Sequence, residues 1–257
     1  MKNILNLLIL CGCFVLIGCE TKSNKKDQQS NIQSVNEMAI PKPENDLNKI
    51  FKSDLLGANL NYLEKITGPA FKTYELKNDI YRNIYIVDNC RVMVNFKEKT
   101  IKAIGLERID EKCTFDLNEF MSWEDYKYSN LNDINFGEIS GKLGGSYYLD
   151  CISGCAASHD PTLYLHWTGG RAHRNWMEVL LEKKILDDKT YNNFFNVKNK
   201  LKAGHNNEWI MDGLYNCSGF SYTFQDMMEK NFNNEKIESI LVGYDIFPED
   251  EIVMSCE

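Results

Sequence analysis

The apolar residues after position 46 follow first a helical and then an alternating spacing. Leu56, Leu60 and Leu63 recur every three or four residues, which predicts a short helix that ends at Gly68-Pro69. Asn59 and Asn61 both fit its N-cap, because an amide oxygen accepts the backbone N–H groups of a first helical turn. The helix would present one apolar face.

Three strands are predicted after this helix. Segments 80–87, 90–96 and 101–106 are separated by short polar turns, which is typical of an antiparallel meander. In the middle segment, alternation places Cys90, Val92, Val94 and Phe96 on one face. A three-stranded sheet must cover such a face, and the preceding helix can do so. We therefore expect a first domain over residues 47–120.

The second half mixes strand and helix patterns. Residues 137–145 suggest a glycine-rich turn, and segments 146–151, 162–167 and 237–244 suggest strands. Segment 175–186 carries both a capping box and an alternating pattern, and the alternation favours a strand. Because strands and helices occur in runs rather than in strict alternation, the chain is predicted to be α+β, with a second domain over residues 130–257.

Two helices are expected in this half. Asp188 is the predicted N-cap of the first, which would end at Gly204, and the second covers residues 221–232. The residues of the first helix that share a face in this prediction are Tyr191, Phe194, Phe195, Lys198 and Leu201.

The first 18 residues have the pattern of an export signal. Lys2 is followed by an apolar stretch over residues 4–18, broken by Asn6, that is too short for a bilayer-spanning helix. Leu16-Ile17-Gly18-Cys19 resembles the lipobox of bacterial lipoproteins. The resemblance implies cleavage before Cys19, a diacylglycerol on its thiol and a fatty acid such as palmitate on its amine. An ordinary signal peptide with a chance cysteine is the alternative.

Residues 19–46 are polar and contain two prolines, which predicts a flexible tether between the lipid and the folded part. No later apolar run is long enough to cross a bilayer. Glu20 follows the lipidated cysteine, where many inner-membrane lipoproteins of Gram-negative bacteria have aspartate. We therefore expect an outer-membrane location, facing the periplasm.

The charge balance excludes some partners. The chain has 37 acidic and 29 basic residues and a formal net charge of −8. Nucleic acids and anionic lipid surfaces are bound by clustered lysine and arginine, which this balance disfavours. The membrane is expected to be contacted only through the N-terminal lipid.

The chain has nine cysteines, and six of them lie beyond the signal and Cys19. An even number in an exported protein favours disulfides, although the sequence leaves several connectivities open. The preferred pairs are Cys90 with Cys113, Cys151 with Cys155, and Cys217 with Cys256.

One segment of the first half resembles known families. Residues 57–69, Gly57-Ala-Asn-Leu-Asn-Tyr-Leu-Glu-Lys-Ile-Thr-Gly68-Pro69, are similar to the glycine, short helix and Gly-Pro segment of small outer-membrane-assembly lipoproteins and β-lactamase-inhibitor-like domains. In those families a helix is followed by a three-stranded meander and the domain binds other proteins. The resemblance thus implies helix-on-sheet architecture and a binding role.

Residues 150–174 hold most of the reactive side chains, including three of the four histidines. Cys151, Cys155 and His159 recur every four residues, but glycine and proline nearby disfavour the helix that a metal site would need, so a disulfide-pinned loop is preferred and no metal or cofactor is expected. Cys155 is a thiol-nucleophile candidate, with His159 or His173 as its base. No Gly-x-Ser-x-Gly elbow occurs.

Paired carboxylates and aromatic residues leave further alternatives. Asp150 with Asp160 or with Glu178 could form a glycosidase pair. Aromatic residues near arginines could instead form a recognition patch. The candidate binding residues are His159, Trp167, Arg171, His173, Arg174 and Trp176.

Two functions follow. The first is a lipid-anchored envelope protein that binds another protein without catalysis, as an assembly factor, an inhibitor or an immunity-type protein. The second is an envelope hydrolase with its site in residues 150–174. An enzyme should bring His159 or His173 within hydrogen-bond reach of a carboxylate or thiol in a pocket, whereas a binder should expose an aromatic patch.

Overall fold

The computed structural model describes residues 47–121, 130–152, 160–169, 176–202 and 222–246. The predicted signal, Cys19 and the tether lie outside these ranges. The helices are α1 (Leu47–Ile50), α2 (Leu60–Thr67), α3 (Phe136–Leu143), α4 (Asp188–Lys202) and α5 (Tyr222–Phe232), with single 3-10 turns at Ser53–Leu55, Leu117–Glu119 and Leu131–Asp133. The strands are β1 (Lys72–Glu75), β2 (Tyr81–Val87), β3 (Cys90–Lys97), β4 (Thr100–Leu106), β5 (Ser146–Leu149), β6 (Thr162–Gly169), β7 (Met177–Lys184) and β8 (Ser239–Gly243).

These strands form one antiparallel sheet in the order β1-β2-β3-β4-β8-β7-β6-β5. The α+β class is confirmed, as are the meander of β2, β3 and β4 and the strand assignment of residues 177–184. Strand β8 pairs with β4 on one side and with β7 on the other. The last described strand of the chain is therefore central in the sheet.

The position of β8 corrects the expected division into domains 47–120 and 130–257. Both segments contribute four strands to the same sheet, and residues Pro43–Glu257 form one compact unit. The sequence suggested two bodies because each half has its own run of strands. The insertion of β8 between β4 and β7 joins them through main-chain hydrogen bonds.

The two faces of the sheet differ in what packs on them. Apolar residues of α2, α3, α4 and α5 share one cluster with alternate strand residues such as Val94 and Val242, which defines the helix-covered face. The strand residues of opposite parity form a smaller cluster that includes Ile84, Met93 and Leu241 together with Ile246, which follows β8. We call this side the second face.

Helix α2 matches its prediction closely. The Asn59 side chain accepts the Asn61 N–H at 2.9 Å, so Asn59 is the N-cap, and the helix ends at Gly68, whose φ is +79°. Leu60 and Leu63 are buried in the core of the helix-covered face. Glycine fits the C-terminal position because side chains disfavour a positive φ.

Two elements differ from the sequence prediction. The expected glycine-rich turn is helix α3, which a capping box between Asn135 and Glu138 begins. The reciprocal bonds of this box offset the low helix propensity of Gly137 and Gly141. Strand β1 was not predicted, because all four of its residues are exposed and carry no apolar alternation.

The residue that caps the N-terminus of helix α4 is one position earlier than predicted. Asp187, rather than Asp188, accepts the Thr190 N–H, at 2.8 Å. Phe194 and Leu201 are buried as predicted, whereas Tyr191 and Phe195 are each half exposed. The buried stripe continues through Val197 instead, because residues three or four apart share a helix face.

A charged cluster fixes the start of α4 to the sheet. Lys183, at the end of β7, is largely buried, and its Nζ lies 3.6 Å from Asp187, 3.7 Å from Glu235 and 3.4 Å from Glu238. Thr190 is fully buried, with Oγ1 2.8 Å from Asp187 Oδ2. Hydrogen bonds from the backbone and hydroxyl of Thr190, together with the Lys183 charge, hold the pKa of Asp187 below its ordinary value.

The structure confirms one predicted disulfide, Cys90–Cys113, which ties the start of β3 to the segment after β4. Cys151 is also disulfide-bonded. Its partner lies outside the described residues, as do Cys155, Cys217 and Cys256, so the other two pairings remain predictions. A Cys151 sulfur in a disulfide is not available as a metal thiolate.

Candidate functional site: a groove on the second face and an open sheet edge

A groove of about 1600 Å³ lies over the second face of the sheet. Its lining comes from both halves of the sheet, with Arg82 and Asn95 from β2 and β3 and His166 and Glu178 from β6 and β7. Because β8 joins the two halves, these side chains are placed by the register of one continuous sheet.

The register aligns six residues across the second face in what we call the polar row. Each residue is paired with the next on the neighbouring strand, so the row crosses six strands. The polar row consists of Arg82, Asn95, Ala103, Gly243, Glu178 and Thr168. Its ends are polar or charged and its centre has almost no side chain.

A histidine and a carboxylate meet at one end of the groove. His166 Nε2 lies 2.8 Å from Glu178 Oε2, and both side chains are 16% exposed. The other carboxylate oxygen, Oε1, accepts the Asp245 N–H at 3.0 Å. These contacts fix the Glu178 carboxylate at the groove floor, with the backbone of the β8 exit as support.

This pair does not form a nucleophile triad with the Thr168 hydroxyl. Thr168 Oγ1 lies 3.5 Å from the same His166 Nε2 that contacts Glu178. In a triad the nucleophile and the carboxylate occupy opposite ring nitrogens, so that one orients the ring while the other loses its proton. Burial raises the pKa of Tyr148, another groove residue, so its phenol stays protonated at neutral pH.

The other end of the groove is cationic. Arg82 Nε donates to Asn95 Oδ1 at 2.8 Å, and Lys97 Nζ donates to the Asn78 carbonyl at 2.8 Å. Lys102 also lines the groove. It is the extra residue of a bulge, since Asn95 pairs with Ala103 but the next residue of β3 pairs with Ile101.

The predicted site residues are only partly within the described ranges. His159, Arg171, His173 and Arg174 lie outside them. Trp167 is 6% exposed in the core of the helix-covered face, whereas Trp176 is 71% exposed just before β7. The His166–Glu178 contact has the histidine–carboxylate geometry expected of an enzyme, but with a histidine that sequence reasoning did not single out.

The prediction that Asp150 and Glu178 form a glycosidase carboxylate pair is wrong. Asp150 accepts the Thr162 N–H at the start of β6, whereas Glu178 is paired with Thr168 near its end. Six residues of a strand separate these positions by about 20 Å. Glycosidase carboxylates lie about 5 to 9.5 Å apart. Asp150 is 3% exposed, and its carboxylate accepts a backbone hydrogen bond at the start of β6.

A second surface of interest lies at the β1 edge of the sheet. Phe71 is 65% exposed, Tyr74 38% and Ile86 42%. Lys72 Nζ lies 4.3 Å from the centre of the Tyr74 ring, and the Arg91 guanidinium lies 6.0 Å from that of Phe71. We define the β1 margin as Phe71, Tyr74, Ile86 and the outer edge of β1.

The two edges of the sheet are treated differently. At β5, the Gln225 side chain of α5 accepts the Tyr147 N–H at 2.7 Å and donates to the Tyr147 carbonyl at 3.0 Å, as a neighbouring strand would. At β1, no described strand lies outside, and its residues are all exposed. Within the described ranges, the β5 edge is thus capped by a side chain, whereas the β1 edge has no neighbouring strand.

Comparison with known proteins gives no match to a family model, to a curated protein or to a solved structure. Within the described ranges, no three histidine, cysteine, aspartate or glutamate side chains are grouped so that they could hold a metal ion. In the same part of the chain, no helix has the length and apolarity needed to cross a bilayer.

Proposed function

We propose that this chain is a lipid-anchored cell-envelope protein that binds another protein without catalysis. The observation that carries the proposal is the β1 margin, which combines an open strand edge with exposed apolar side chains. The Cys19 segment supports an anchor at the membrane, and outer-membrane sorting follows from Glu20. The acidic net charge fits a protein partner better than nucleic acid.

The open edge offers main-chain hydrogen bonds to a partner. Leu76 N donates to the Ile80 carbonyl, and hydrogen-bonding direction alternates along a strand, so the backbone groups of Thr73 and Glu75 point away from β2. An extended partner segment can pair with such groups by strand addition. Main-chain pairing would supply affinity, while the side chains beside it would supply selectivity.

The exposed side chains of the β1 margin give that edge an apolar anchor. Phe71 and Tyr74 flank the edge, and aromatic residues contribute strongly to protein interfaces. Lys72 and Arg91 over their rings add positive charge next to the apolar surface. A partner segment with apolar and acidic side chains would complement this surface.

A pull-down tests the binding role. The mature chain with Cys19→Ala is incubated with envelope extract under non-reducing conditions, beside a Phe71→Ser, Tyr74→Ser double variant. The control is Phe195→Ser, which removes a half-exposed aromatic from α4, outside the β1 margin. We expect one dominant stoichiometric protein that the control retains and the double variant loses. No stoichiometric protein, or one that the double variant also retains, contradicts the proposal.

The lipid anchor is tested separately. We expect cells fed labelled palmitate to label the wild-type chain and not a Cys19→Ser variant, because the thiol receives the diacylglycerol and directs cleavage. Mass spectrometry of the N-terminal peptide should show a modified Cys19. Recovery of an unmodified Cys19 from the membrane fraction would contradict the anchor.

The His166–Glu178 pair supports a second candidate function, an envelope hydrolase. A histidine held by a carboxylate in a groove is a common general base. The test is a screen of ester, peptide and glycoside substrates with wild type and His166→Gln. Turnover that this variant loses while retaining its fold would support an enzyme, and turnover unchanged by the variant would reject this site.

A further inference from the structure

Asn95 has a buried amide N–H group that no described residue accepts. Its side chain is 3% exposed and lines the groove, and its Oδ1 accepts from Arg82 Nε. The Arg82 donor fixes the amide orientation, so Nδ2 points elsewhere, and no described residue accepts its hydrogens. A buried donor left unpaired costs free energy, which a ligand oxygen in the groove would recover.

The groove lining near this donor includes two cations, Arg82 and Lys102, that form no ion pair with a described carboxylate. Arg82 donates to Asn95 through Nε, so its two terminal nitrogens can donate to a ligand. No described acid forms an ion pair with Arg82. Lys102 likewise has no ion pair among the described residues, and the bulge aims it at the groove. Guanidinium, ammonium and amide donors together form a site for a carboxylate.

The opposite end of the groove carries negative charge. Glu178 and Asp245 line it together with His166. Between the two ends, the polar row passes over Ala103 and Gly243, and a Cβ on Gly243 would collide with the backbone of Lys102 and Ala103. The floor is therefore smooth enough for an extended chain to lie across the strands.

The span of the groove sets the ligand length. Asn95 and Glu178 are three strand spacings apart, which is about 14 Å. An extended chain advances about 3.3 to 3.6 Å per residue, so about four residues bridge the two ends. Two residues of the second-face cluster, Tyr148 and Ile246, also line the groove and give it an apolar part.

We propose that the second-face groove binds a short extended peptide, with its terminal carboxylate at Asn95, Arg82 and Lys102 and its terminal ammonium at Glu178 and Asp245. The groove meets β1 only at Glu75 and uses none of the exposed aromatic side chains of the β1 margin. Charge complementarity at both ends selects a zwitterion of this length over a simple anion or a longer chain.

Calorimetric titration at low salt tests the site with the mature Cys19→Ala protein. The probe is tetra-alanine as the free acid, compared with its C-terminal amide and its N-acetyl form. We expect saturable binding of the free acid and at least about tenfold weaker binding of both blocked forms, because each loses one charge-assisted contact. No saturable binding of the free acid, or equal binding of the three peptides, overturns the proposal.

Matched variants locate the carboxylate end. Asn95→Asp keeps the shape of the side chain but replaces its N–H donor with a carboxylate oxygen, which repels the carboxylate of the peptide. Arg82→Gln removes the positive charge of the guanidinium. Each should weaken binding of the free acid at least about tenfold, whereas the control Arg108→Gln, which removes an exposed charge after β4 and outside the groove lining, should not. Equal weakening by Arg108→Gln would overturn the assignment.

Discussion

Removal of the Cys90–Cys113 bridge should measurably lower the free energy of unfolding. The bridge joins residues 23 apart, and both sulfurs lie in the core of the helix-covered face. Closing a loop of that length removes unfolded-state entropy worth about 3 kcal/mol at 25 °C. The double variant Cys90→Ala, Cys113→Ala should therefore be less stable by about that amount.

Urea unfolding followed by tryptophan fluorescence measures this loss. For a chain of this size the denaturant slope is about 2 to 3 kcal/mol per molar urea, so the midpoint should fall by about 1 to 1.5 M. A reductant should lower the wild-type midpoint further than that of the double variant, because only the wild type still has this bridge. A midpoint within about 0.3 M of wild type would refute the reasoning.

Three further outcomes are expected. Lys183→Met should lower the free energy of unfolding by about 1 to 2 kcal/mol in urea titrations, because the buried Glu235 carboxylate then keeps only the exposed Lys189 as a cation among the described residues; an unchanged midpoint would contradict this. Thr190 holds the folded-state pKa of Asp187 below its unfolded value. The stabilisation that the ionised Asp187 gives to the folded state is therefore present above about pH 4 and is lost as pH falls through the folded pKa. Asp187→Asn should remove that part of the acid dependence, and identical pH profiles would argue against it. Gln225→Leu should lower stability by about 1 to 2 kcal/mol and promote association through β5 on size-exclusion chromatography, because the Tyr147 backbone groups lose their partner; a stable monomer would oppose that role.

Local patterns predicted the first half of the fold well. Leu60, Leu63 and the Asn59 cap define α2, and the alternation in β3 follows from its buried side, because helix and strand periods are set by neighbours in sequence. The Cys90–Cys113 pair was also predicted. Strand β1 escaped prediction because pairing with β2, not burial, holds it in the sheet.

The candidate sites depended on information that the sequence does not carry locally. The polar row joins Arg82 to Thr168 through the register of six strands, and β8 enters the sheet from the far end of the chain. The His166–Glu178 contact arises from the pairing of β6 with β7. His166 lies in the segment 150–174 and Glu178 in the predicted strand 175–186, but their contact and the cationic end of the groove follow only from the strand pairing.

The central claim is that the β1 margin binds a protein in the envelope. The most direct test is photo-crosslinking in the cells that make the protein, with a photoreactive amino acid incorporated in place of Phe71 and, as a control, in place of Phe195. The account predicts one discrete crosslinked protein from position 71 and none from position 195. No crosslink at position 71, or the same products from both positions, would contradict it.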